Sequence, residues 1–327
     1  MAIISVKHLW KQFHRAKKRP GFWGGISSFF SREYHIKKAL DHVSFDIQEG
    51  EIVGYIGPNG AGKSTTVKIL SGILVPNGGE VKILGKTPWE HRIDTARDIG
   101  VVFGQRTQLW WDLPVIESFE LLRDIYAIPS HNYRKNLESL VQTLELSKLL
   151  HVPVRQLSLG QRMRCDIAAS LLHSPKILFL DEPTIGLDAV SKLAMRDFIR
   201  LLNKENKVTV MLTTHDMDDI ESLCNRVIIL NEGHIFLDGT LAQLRNKISP
   251  ERRLIVDLLN ENDSITDPQA TIVKQEGHRV WLNFDPTSIS TPELITRITT
   301  KHLITDLFIE NPPIEEIIAR FYRDVNL

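Results

Sequence analysis

The run Gly57-Pro58-Asn59-Gly60-Ala61-Gly62-Lys63-Ser64-Thr65 concentrates glycines ahead of one lysine and two hydroxyls. That combination suits a polyphosphate. Backbone N–H groups must come close to the anion, and a Cβ would hold them away. Glycine also reaches positive φ. A helix that starts at Lys63 adds the partial positive charge of its free N–H groups. Lys63 can then meet the β- and γ-phosphates as a point charge, and the Ser64 hydroxyl can ligate Mg²⁺, a hard cation that prefers oxygen. The whole run, Asn59, Ala61 and Thr65 included, is the expected wall of the anion.

Strand and helix must flank such a loop for the pattern to mean anything. Upstream, "EIVGYIG" is apolar and β-branched, as a buried strand is. Downstream, Val67, Ile69, Leu70, Ile73 and Leu74 recur at helical spacing. A second apolar run, Ile177 to Leu180, ends in Asp181 and Glu182, and reads as a central parallel strand buried on both faces. Ligands of open α/β sheets lie beyond the carboxyl ends of strands. Asp181 is therefore expected to hold Mg²⁺, and Glu182 to orient or deprotonate an attacking water. "VTVMLTTHD" is another strand, ending near His215. A lone histidine is usually structural, but at this edge contact with the γ-phosphate is the better expectation. "LSLGQRMR" opens a further helix with Ser158 and Gly160, a second anion cradle. The two cradles meet around one nucleotide, either within a chain or across a dimer.

Alternating strand and helix signals from about residue 40 to 245 predict an α/β fold with a mainly parallel sheet. Lys+Arg and Asp+Glu both number 40, a neutral balance that argues against a nucleic-acid partner. Cys165 and Cys224 have no CxxC spacing, which implies neither a disulfide framework nor a zinc site. No apolar run approaches the roughly 18 residues that cross a bilayer, so a membrane role needs its span from another chain.

Over residues 2–245 these features resemble the ATP-binding-cassette (ABC) ATPases. The likeness rests on "GPNGAGKST" as Walker A, Gln105 in "VVFGQ" as the Q-loop and "LSLGQ" as the signature. It continues through "ILFLDEP" as Walker B, Gly186-Leu187-Asp188 as the D-loop and His215 as the switch histidine. Leu159 stands where the family usually has the first of two glycines. The resemblance implies a P-loop cassette with an antiparallel β subdomain and a helical subdomain at about 106–165. It implies two copies arranged head to tail, with Ser158, Gly160, Gln161 and Asp188 meeting the partner's ATP. Gln105 would touch Mg²⁺ and sense the γ-phosphate beside Lys63, Glu182 and His215. It also implies an aromatic residue stacked on adenine: Tyr34 is favoured by its spacing before Gly57, with Phe13 as the competitor.

The implied function is the ATPase subunit of a bacterial transporter of the ABC-2 export type. It would work with separate transmembrane permease subunits on the cytoplasmic face of the plasma membrane. A soluble regulatory ATPase is the alternative. Trp110 and Trp111 follow the Q-loop; one exposed as an interface anchor, or both packed inside, are the two readings. Residues 11–38 form a basic, aromatic insertion with Phe22, Trp23, Phe29 and Phe30, read as a short helix near an anionic membrane surface or as a solvated loop. The nucleotide-binding domain is expected to span 1–248. The tail, 249–327, is expected to be a small α+β domain of strands, one helix, another strand and a final helix over "PPIEEIIARFYRDV".

Overall fold

The computed structural model describes residues 2–16, 34–104, 106–248, 251–260, 263–312 and 316. The chain divides into two compact units, Met1–Gly239 and Thr240–Leu327. The expected boundary lay after 248.

The first unit is built on two sheets. Strands β1 (Ala2–Ala16), β2 (Tyr34–Gln48) and β4 (Gly78–Ile83) form an antiparallel sheet in the order β2-β1-β4. Strands β3 (Ile52–Ile56), β5 (Ile99–Phe103), β6 (Ile177–Asp181), β7 (Thr209–Thr213), β8 (Arg226–Asn231) and β9 (His234–Thr240) form the other, in the order β5-β6-β7-β3-β8-β9. The pairs β5–β6, β6–β7, β7–β3 and β3–β8 are parallel. Ile177, Leu178, Phe179 and Leu180 have no exposed surface, which is why this strand carries no polar alternation. Phe103, Asp181 and Thr213 stand in register at one edge. Asp181, expected to hold Mg²⁺, stands at that edge.

The region 11–38 differs from expectation at both flanks. Residues 11–16 and 34–38 are not insertion but the continuation of β1 and β2, paired as Phe13↔Lys37, His14↔Ile36 and Ala16↔Tyr34. An antiparallel ladder extends wherever both backbones can pair their N–H and C=O groups. Lysine and histidine side chains do not prevent that. Phe22, Trp23, Phe29 and Phe30 lie outside the described residues.

Helix α1 (Lys63–Leu70) follows β3, and α2 (Arg92–Asp98) precedes β5. Helices α3 (Val115–Ile125), α4 (Ser130–Thr143) and α5 (Leu159–Leu171) supply the expected helical region, with α5 running past its expected end. Ser158 caps α5 in a reciprocal box with Gln161. Trp110 and Trp111 are 39% and 50% exposed, so neither reading of one or two buried tryptophans holds. They sit in a turn, where strand or helix alternation does not apply, and Leu109 is the buried neighbour. The Arg162 guanidinium lies over the Trp111 ring at 5.5 Å from its centroid. Helices α6 (Ala189–Asn206) and α7 (Met217–Leu223) follow β6 and β7.

The second unit holds α8 (Leu241–Ile248), strands β10 (Arg252–Leu258), β11 (Ala270–Glu276), β12 (Arg279–Phe284) and β13 (Ile304–Glu310), and α9 (Thr291–Lys301). Its sheet runs β11-β12-β10-β13. Leu254, Val256, Leu282 and Phe284 pack with Leu294 and Ile298 of α9 in a separate core. Of the expected final helix only Pro312, which is not helical, and Glu316 are described; the Glu316 carboxylate accepts from the buried Arg253 Nη1 at 3.2 Å.

Asp166 of α5 ties this helix to the segment after the Q-loop. Its Oδ1 accepts from Thr107 Oγ1 at 2.8 Å and from the Gln108 N–H at 3.0 Å. Burial pushes its pKa up to about 6, against the pull of those two bonds and Arg162. A carboxyl raised in the fold holds its proton more tightly there than in the unfolded chain. Its stabilising share is therefore full in acid and lost as pH rises through about 6. Asp166→Asn keeps an acceptor for both donors. It should stabilise by about 1–3 kcal/mol at pH 8 and by about half as much at pH 5. Thermal unfolding at the two pH values measures this; an equal change in Tm at both would contradict it.

Candidate functional site

The loop after β3 turns tightly because Gly60 and Gly62 take φ of 86° and 116°. A Cβ on Gly62 would lie 2.4 Å from the Ala39 carbonyl oxygen, so alanine cannot replace it without moving backbone. No side chain caps the start of α1, and its first turn holds no acid. Its N–H groups are left for an anion. Lys63 is buried and folds back on the loop, donating to the carbonyls of Gly57 at 2.6 Å and Pro58 at 3.2 Å. Burial pulls its pKa below the usual lysine value; Glu182 and Asp181 act the other way.

Asp181 ends β6 beside this loop. Its Oδ2 accepts from Ser64 Oγ at 3.2 Å, and its Oδ1 accepts from Thr213 Oγ1. Glu182 takes φ of 56°, an uncommon conformation for a side chain of its size. Its N–H donates to the Thr213 carbonyl at 2.8 Å, and its Oε1 lies 2.9 Å from His215 Nε2. Gly104 abuts the same turn: its N–H donates to the Asp181 carbonyl at 2.7 Å, and a Cβ on it would meet the Glu182 carbonyl at 2.2 Å. Gln105 follows directly and lies outside the described residues.

Three cavities converge here. One of about 500 Å³ is lined by Phe13, His14, Lys37, Asn59, Lys63 and Glu182, together with Gly60, Gly62, Ser64 and Thr65. A second, about 340 Å³, is lined by Ser64, Lys68, Gly104, Arg106, Asp181 and Glu182. A third, about 330 Å³, is lined by Glu182, Thr184, Gly186, Lys192, His215 and Asp216. The Ser64–Asp181 contact therefore has open space beside it, with a hydroxyl and a carboxylate as hard oxygen donors. Among the described residues no cluster of three acidic, histidine or cysteine side chains could hold a metal. That donor set fits an ion such as Mg²⁺, which takes one or two protein oxygens and completes its shell with phosphate and water.

Sequence reasoning missed Lys37, His14 and Thr213. Lys37 reaches the loop: its Nζ is 3.5 Å from where a Cβ on Gly60 would sit. The signal was available for Thr213, the last residue of a strand in register with Asp181. Phe13 faces the cavity with Lys11 Nζ 5.4 Å from its ring centroid. Tyr34 opens β2 opposite Ala16, and its side chain is outside the described set.

The signature residues stand apart. Ser158, Gly160 and Gln161 line none of these three cavities. Ser158 Oγ accepts from the Gln161 N–H at 3.2 Å, and Gln161 Oε1 accepts from the Ser158 N–H at 2.9 Å. Leu159 packs on the D-loop: a Cβ on Gly186 would be 2.5 Å from its Cδ2. Asp188 caps α6 by accepting from the N–H and Oγ of Ser191 at 2.9 and 2.8 Å, which holds its pKa below the usual carboxylate value.

The matches to known proteins agree with this geometry. A family model described as "ABC transporter" matches residues 40–185. The ABC transporter ATP-binding protein NatA of Bacillus subtilis is 32% identical over 215 residues, covering 66% of this chain and 87% of NatA. The Nod factor export ATP-binding protein I of Ralstonia nicotianae is 33% identical over 208 residues, covering 64% of each chain. The chain spans 38% and 25% of two longer Dictyostelium discoideum relatives, ABC transporter A family members 8 and 1, at 30% and 32% identity. Among solved structures, the dimeric post-hydrolysis state of the cassette MJ0796 bound to ADP and Pi superposes with a TM-score of 0.60 at 28% identity, covering 73% of this chain and 98% of that one. The chain belongs to the ATP-binding-cassette family of ABC-transporter ATPases.

Proposed function

We propose that the chain binds Mg-ATP at the Lys63 loop, closes head to tail on a second copy and drives separate permease subunits of the ABC-2 export type. The site works at the cytoplasmic face of a bacterial plasma membrane. The observation that carries this is the meeting of Lys63, the Ser64–Asp181 contact and the Glu182–His215 pair at one sheet edge. The export reading is supported by the kinship to a Nod factor export protein and by the tail after the cassette.

Lys63 exchanges its loop carbonyls for phosphate oxygens when the anion enters. Ser64 and Asp181, with Gln105, would hold Mg²⁺, which when bound would neutralise charge on the phosphates. Glu182 orients the attacking water and takes its proton. His215 lies 2.9 Å from the Glu182 carboxylate and would sense the γ-phosphate. Ser158, Gly160, Gln161 and Asp188 complete the site from the second copy, because within the chain they lie away from the Lys63 cavities. Phe13 stacks on adenine, since it lines the cavity that Lys63 and Asn59 share.

Glu182→Gln should lower ATP turnover by at least ~10²-fold. It should also leave a dimer, stable to size-exclusion chromatography with light scattering, in Mg-ATP alone. Loss of turnover with a strictly monomeric protein, alone and with membrane partners present, would refute the closure. Phe13→Ala should raise the Kd for ATP about tenfold, the value of one lost stacking contact; a fluorescent-nucleotide titration showing that loss in Tyr34→Ala instead would move the adenine to Tyr34.

A further inference from the structure

Behind the Glu182–His215 pair lies a buried polar group that the chemistry above does not use. Asp219 of α7 has no exposed surface. Its Oδ1 accepts from Arg196 Nε of α6 at 2.6 Å. Its Oδ2 accepts from the hydroxyls of Thr184 and of Thr214, the latter at 3.3 Å. Arg196, Thr184 and Thr214 are themselves buried, at 9%, 2% and 2% exposure. The same arginine donates from Nη2 to Asp216 at 3.2 Å, and Lys192 donates to the other oxygen of Asp216. The Asp216 N–H in turn donates to Thr214 Oγ1 at 3.0 Å.

A buried carboxylate is costly unless paired and fully hydrogen-bonded, and removing one partner leaves the other charge stranded. Here the groups that satisfy it occupy informative positions. Thr214 and Asp216 flank His215 on both sides. Thr184 follows Glu182 by two residues, and Glu182 sits at a positive φ, a conformation that persists only where its surroundings over-determine it. The His215 side chain itself is 44% exposed, so little packing fixes it directly. The network supplies from behind the rigidity that the two reacting groups lack in front.

We infer that Arg196 and Asp219 are a positioning pair for catalysis: they fix the turns that carry Glu182 and His215, and so set the rate of turnover without touching nucleotide. This rests on the reading that Glu182 and His215 serve ATP hydrolysis. Neither residue of the pair lines the cavity at the Lys63 loop. Substrate affinity and turnover should therefore separate.

The test compares the full chain with Arg196→Lys, Arg196→Met and Asp219→Asn, each alone and with His215→Ala. Turnover is followed by phosphate release and ATP binding by titration of a fluorescent analogue. Arg196→Lys keeps the charge and the fold but cannot span Asp216 and Asp219. It should lower kcat roughly 10-fold, and Asp219→Asn or Arg196→Met up to roughly 100-fold, as misplacement of a reacting group does. The Kd for nucleotide should stay within about twofold. In the His215→Ala background the same changes should cost clearly less than in the parent, because residues acting as one unit are not additive; what remains acts through the Glu182 turn. Unchanged kcat in Arg196→Lys and Asp219→Asn overturns the inference. So does a fall in kcat matched by loss of ATP binding, or one that persists in full without His215. If the parent chain itself shows no turnover, it is the ATPase reading that fails.

Discussion

One ammonium group buried at the edge of a parallel sheet organises this molecule. Lys63 is driven inward by the loop that carries it, and burial opposes its charge. The chain answers with two backbone carbonyls from the loop and with Asp181 at the end of a strand more than a hundred residues later and Glu182 just beyond it. Those carboxylates arrive because β6 and β3 both flank β7 in one parallel register. A central strand displaced by one residue would turn Asp181 to the other face. The exact apolar runs of these strands, dull in themselves, thus decide where the charges go.

The loop conformation is a second expression of the same constraint. Gly62 cannot carry a Cβ, since the Ala39 carbonyl already occupies that space. Ala39 belongs to β2, so the antiparallel sheet buttresses the phosphate loop from behind. The continuation of that sheet carries Phe13 and Lys37 to the cavity. The two sheets of the first unit meet at the Lys63 cavity: one brings the glycine-rich loop and Glu182, the other the wall of Phe13, His14 and Lys37.

What was legible in the amino-acid sequence followed from local periodicity and from side chains scarce enough to be conspicuous. The strand before Gly57, the helix from Lys63, the apolar strand before Asp181 and the helix opened by the Ser158 segment all rest on neighbours within a few residues, and all form. The hairpin reaching Ala16 and Tyr34 was not legible, because ladder pairing is a long-range property that basic side chains neither require nor forbid. Trp110 and Trp111 misled for a related reason: a rule for helices and strands was applied to a turn. Lys37 and Thr213 join the site through register, which no single segment displays. The network of Arg196 and Asp219 is less visible still, since its members are common residue types drawn from four separate stretches of chain.

The central claim is that the Lys63 ammonium is stored for a triphosphate. Isothermal titration of Mg-ATP into the parent chain and Lys63→Met tests it most directly, because methionine keeps most of the side-chain volume and removes only the charge. The account predicts that the Kd rises at least about tenfold, the loss of roughly 1.4 kcal/mol or more of charge-assisted binding, while thermal stability without nucleotide stays level or increases as a buried charge disappears. An unchanged Kd for Mg-ATP in the folded Lys63→Met chain would contradict it.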